Sequence, residues 1–137
     1  LYAAVVTGAL AALSEALLRP LPADSDFSER VDILVERYAG FLAERRWFAR
    51  LLLREVIDGR GPGRELLTEL LEPILGMVER FLSKGRSDVP LRAVVLNIGA
   101  TALVREACGE LRDVLWRGLG SDADRAVASA LLRTGGG

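Results

Sequence analysis

The chain has 137 residues, 50% of them hydrophobic but only 6% aromatic, with 18 basic and 19 acidic side chains and no histidine. That length suits one domain. The near-neutral charge gives no basic footprint for a phosphate backbone. Without histidine, Ser-His-Asp and Cys-His pairs and most ordinary zinc or di-iron sites are excluded, so no enzyme, metal or cofactor is expected. One cysteine forbids an internal disulfide. The Leu- and Ala-rich apolar fraction favours helix over sheet. The opening Leu1-Tyr2-Ala3-Ala4-Val5 has helical character and no Met, so the chain reads as a piece of something longer. Its apolar start lacks a basic leader and is too short to span a bilayer, which predicts a soluble, cytoplasmic protein.

In the first predicted helix Tyr2, Val6, Ala9, Leu10, Leu13 and Leu17 share one face until Pro20 and Pro22 stop it. Asp26, with Glu29 three residues on, resembles a capping box for a second helix whose buried stripe is Val31, Leu34, Val35, Tyr38, Phe41 and Leu42. Asp24-Ser25-Asp26 is read as turn and cap chemistry rather than a magnesium site. Arg45-Arg46 marks a break, and a short third helix covers Trp47–Ile57. Gly59-Arg60-Gly61-Pro62-Gly63 is the strongest loop signal; with no preceding strand and no Lys-Ser/Thr after it, it is a connection and not a phosphate loop. A fourth helix follows over about 64–83, with Leu66, Leu67, Leu70, Leu71, Ile74, Val78, Phe81 and Leu82 inward and a kink expected at Pro73. Lys84-Gly85 closes it, and Ser87-Asp88-Val89-Pro90 opens the next.

The fifth predicted helix, Pro90–Arg117, is the longest and is apolar on two sides. One stripe holds Leu91, Val94, Val95, Ile98, Ala102, Gly109 and Trp116, with Arg105 beside it. The other holds Ala93, Leu96, Ala100, Leu103, Val104, Ala107, Leu111, Val114 and Leu115. A surface helix needs only one such face, so this one is either the centre of the domain or partly covered by another subunit. After Gly118-Leu119-Gly120, a last helix from Ser121 to about Arg133 adds Ala123, Ala126, Val127, Ala130 and Leu131. Gly135–Gly137 is expected to fray. Two adjacent C-terminal helices with small-residue faces suit a symmetric four-helix interface. The expected interface is therefore Ile98, Ala102, Arg105, Gly109, Trp116, Ala123, Ala126, Val127, Ala130 and Leu131. Asn97, Thr101 and Cys108, set among Leu and Val, either satisfy their own helix or face a cavity.

The order of parts resembles the tetracycline-repressor (TetR) family of bacterial transcriptional regulators, in its C-terminal domain. The resemblance rests on Leu1-Tyr2-Ala3-Ala4-Val5 as the start of a long connecting helix, the amphipathic Phe27–Glu44, the short Trp47-Phe48-Ala49-Arg50-Leu51-Leu52-Leu53, the Leu-rich stretch around Pro73, and two closing helices. Arg45-Arg46 departs from the small-residue or Pro turn frequent in that family. The resemblance implies an all-α, six-helix bundle over 1–137 that senses an apolar or amphipathic small molecule, dimerises, and moves DNA-binding heads through its first helix. The helix-turn-helix part that would bind operator DNA is absent from this sequence. Expected pocket walls are Val6, Leu10, Leu13, Tyr38, Phe41, Trp47, Phe48, Met77, Phe81, Asn97 and Thr101. The alternative is a helical protein-interaction module with no DNA role.

Overall fold

Pro20 and Pro22 lie where the first helix stops, and Asp26 starts the second by accepting a 2.8 Å hydrogen bond from the Glu29 N–H. These local signals are legible in a computed structural model that describes residues 2–58, 61–83 and 89–133. Its elements, in chain order, are α1 (Tyr2–Leu18), α2 (Phe27–Glu44), α3 (Arg46–Asp58), α4 (Gly61–Leu82), α5 (Leu91–Ala107), α6 (Leu111–Trp116) and α7 (Ser121–Arg133). There is no strand among the described residues, so the domain is all-α. The fraying expected at Gly135–Gly137, the loop residues Gly59 and Arg60, and the Lys84-Gly85 and Ser87-Asp88 signals lie outside the described residues.

Six helices were expected and seven are present among the described residues, because Pro90–Arg117 is not continuous. It breaks after Ala107, where Gly109 adopts φ +64°, a left-handed conformation that glycine takes without a Cβ penalty. A second left-handed pair, Arg117 and Gly118, ends α6. The break re-aims the chain so that α7 can fold back against α2 and α5. Pro73 is accommodated inside α4, which runs unbroken from Gly61 to Leu82.

Helix α5 is the hub: it packs on α2, α3, α4, α6 and α7, whereas α1 packs on α2 and α4. Burial follows two clusters. The first gathers Val6, Leu10 and Leu13 of α1 with Phe41, Leu42, Phe48, Leu52, Ala102 and Leu103. The rings of Phe41 and Phe48 meet edge to face at 5.9 Å across the α2–α3 corner. In place of a Pro turn, that corner carries Arg45, which lies over the Phe41 ring at 4.1 Å. The second cluster joins Val31, Val35, Leu82, Val94, Ala128 and Leu132, and the stacked pair Phe27–Phe81 fastens α2 to α4 at its edge. Arg37 secures the α1–α2 loop by donating to the carbonyls of Arg19 and Pro20.

Candidate functional site

Between the two clusters the helices leave a cavity of about 230 Å³. Leu13 and Leu17 of α1, Val31, Leu34, Val35 and Tyr38 of α2, Leu52 and Val56 of α3, Leu71, Leu75, Val78 and Leu82 of α4, Val94, Val95, Leu96, Ile98, Gly99, Ala100 and Leu103 of α5, and Ala128 and Leu132 of α7 line it. Its walls present almost no polar atom. A cavity of about 150 Å³ with such walls is large enough for benzene, so this one has room for a small organic molecule. Val56, Leu96 and Ala100 are exposed as well as lining, which places the mouth between the end of α3 and the middle of α5.

Among the described residues, Tyr38 brings the one polar side chain to the wall. Its hydroxyl donates a 2.8 Å hydrogen bond to the carbonyl of Gly99 on α5. Gly99 also leaves room: a Cβ there would stand 3.8 Å from the Tyr38 oxygen. Burial pushes the Tyr38 hydroxyl well above its usual range; nearby Asp124 adds to that rise and Arg105 opposes it. The phenol therefore stays protonated and keeps its donor on Gly99.

Behind this wall lies a buried ionic knot. Arg105 donates from Nη1 to Asp124 Oδ1 at 3.0 Å and from Nε to Glu106 Oε2 at 3.1 Å. All three side chains are at most 5% exposed. Arg46 from α3 and Arg112 from α6 approach Glu106 at 3.4 and 3.8 Å. Glu106 Oε1 and Asp124 Oδ2 have no hydrogen bond and are held by charge alone. Burial works against the Arg105 charge, but hydrogen bonds to Asp124 and Glu106 outweigh it and raise the guanidinium above its usual value. The knot joins α3, α5, α6 and α7. It satisfies its own charges and lines no part of the cavity.

Of the expected pocket residues, the structure brings Leu13 and Tyr38 to the cavity. Val6, Leu10, Phe41 and Phe48 are buried in the first cluster, and Phe81 packs against Phe27. Trp47 is half exposed, touching Phe48 from outside, and Met77 is half-buried on α4 without lining the cavity. Asn97 and Thr101 face outward, and the Asn97 amide donates at 2.7 Å to the Ala93 carbonyl of its own helix. Cys108 likewise stays local, its thiol 3.3 Å from the Arg105 carbonyl.

Both stripes of α5 reach the cavity, through Val94, Val95 and Ile98 on one and Leu96, Ala100 and Leu103 on the other. Ala102 and Arg105, expected to meet a partner subunit, are buried within this one, while Ile98 lies on the cavity wall. On that inward side the charge of Arg105 is paired by Asp124 of α7 and by Glu106. The outward surface carries Leu96, Val104, Leu111, Val114 and Leu115, continued on α7 by Ala126, Val127 and Ala130. Gly109 is exposed at the α5–α6 break, Trp116 and Ala123 are half-buried, and Leu131 packs against the second cluster.

Sequence reasoning missed most of the cavity wall: Leu17, Val35 and Val78 read as ordinary inward positions, Val94 and Leu103 as members of the two stripes of the fifth helix, and Leu75 is not singled out. The available signal was Tyr38 on an apolar stripe opposite Gly99, a bulky polar group facing a missing side chain.

Among the described residues no group of histidine, cysteine and carboxylate side chains could hold a metal ion, and no helix is long and apolar enough to cross a membrane. No family model, curated protein or solved structure matches the chain.

Proposed function

We propose that this domain is the sensing and dimerisation module of a small-molecule-responsive transcriptional regulator of tetracycline-repressor type, a repressor acting in the cytoplasm. The observation that carries the reading is the apolar cavity whose wall includes Leu13 and Leu17 of α1. In the resemblance, α1 continues toward the DNA-binding head, so a molecule touching Leu13 and Leu17 would act on the lever. A ligand shifts such an equilibrium only by binding one arrangement of the helices better than another. Two heads read successive turns of DNA roughly 34–36 Å apart, and a small swing of α1 spoils that spacing.

The dimer belongs to the same proposal. Val104, Leu111, Val114, Leu115 and Val127 form an outward apolar surface on the last three helices. Surfaces of this kind mark interaction sites when they are contiguous. A second copy docking α5 to α7 against its own equivalents would cover it by two-fold symmetry.

The test uses the complete gene product and the DNA flanking its gene. The regulator reading expects a basic three-helix segment ending in aromatic-Lys-x-x-Leu before Leu1, retardation of the flanking DNA, and release on adding an apolar ligand. A reading frame without such a segment, or a product that ignores its flanking DNA, contradicts it and favours a helical interaction module.

A further inference from the structure

Reading the cavity as a ligand site leaves the ligand's chemistry open, and on that reading its walls define a class. We infer that the cavity takes an uncharged hydrocarbon or aromatic compound of roughly nine or ten carbon atoms and rejects the carboxylate of the same skeleton. The size follows by proportion from the roughly 150 Å³ that accommodates benzene to the 230 Å³ available here. The charge preference follows from the lining. Among the described residues its one polar side chain is Tyr38, whose hydroxyl proton is already donated to the Gly99 carbonyl. The nearby buried cation, Arg105, is taken by Asp124 and Glu106 and does not reach the wall. An ionised ligand would lose its hydration and meet no counter-charge, a large cost in an apolar site. The threshold, Val56, Leu96 and Ala100, is apolar too, so among the described lining residues there is no charged seat for a headgroup.

Naphthalene and 1-naphthoate, matched in shape, provide the test, read by thermal unfolding of the whole chain near neutral pH. The expected result is a rise of the midpoint with naphthalene and none with 1-naphthoate. Ala100→Trp, and separately Val56→Trp, change exposed positions at the mouth and should remove the naphthalene shift while leaving the helical spectrum intact. An equal shift with both probes overturns the charge preference but leaves the cavity as a ligand site. A naphthalene shift that survives both folded Trp variants overturns the site, since binding is then elsewhere. No shift with either probe overturns the ligand class, whereas the regulator reading stands or falls on the flanking-DNA test.

Discussion

The guanidinium of Arg105 and the carboxylate of Asp124 meet 2.8 Å apart between α5 and α7, both almost wholly out of water. This contact lies on the face of α5 that also buries Val94 and Ala102. It also joins the hub helix to the last helix, directly behind the tyrosine that borders the cavity. A buried pair of this kind contributes little net stability against an apolar replacement, but breaking it is expensive because one charge is left unpaired.

Asp124→Ala should therefore destabilise the domain by about 3–5 kcal/mol. In urea denaturation the triple variant Arg105→Met/Glu106→Leu/Asp124→Leu, which leaves no unpaired buried carboxylate, should recover most of that loss. A single variant within a few tenths of a kcal/mol of the parent would contradict the pairing.

Tyr38 has its folded-state ionisation raised above the unfolded value by burial. The sign is that of an acid held neutral: the stabilisation is complete below the ordinary tyrosine pKa of about 10 and is lost as pH rises through the folded value. In a Tyr2→Phe background, which isolates the Tyr38 signal, phenolate absorbance should appear only together with loss of helical signal at alkaline pH. Phenolate forming near pH 10 in a folded protein would contradict the burial and its bond to Gly99.

Gly109 has open space around a notional Cβ, the nearest atom being the Arg50 Nη2 at 3.9 Å, so Gly109→Ala tests backbone geometry alone. At φ +64° the substitution should cost about 1–2 kcal/mol in chemical denaturation. No loss would indicate that α5 and α6 join as the single helix the sequence pattern suggests.

The outward face of α7 makes the dimer testable at Ala126 and Val127, which are both exposed. The parent should sediment as a dimer, and Ala126→Glu or Val127→Asp should yield a folded monomer or an aggregate. A parent that is monomeric by light scattering contradicts the proposed interface.

Most helix boundaries were legible because their signals are local. Pro20 and Pro22, Asp26 with Glu29, and Ser121 act within one turn, and the predicted ends agree with the observed ones to within a few residues. The rotation of α5 was not legible. Val94–Ala102 and Leu96–Val104 are equally good apolar stripes, and the partner of the buried Arg105, Asp124, lies 19 positions away and looks locally like first-turn helix chemistry. Asn97 illustrates the same limit: an amide among Leu and Val looks like a pocket group until its own helix is seen to satisfy it. The cavity itself is a property of how six helices fail to meet, and no single segment encodes it.

The central claim, that occupancy of the cavity moves α1, is tested most directly by distance measurement between spin labels in the dimer. Ala4, exposed on α1, is replaced by Cys for labelling in a Cys108→Ala background. Naphthalene should shift the distance between the two labels, and Ala100→Trp should abolish the shift. A label distance that is unchanged while naphthalene demonstrably binds would contradict the account.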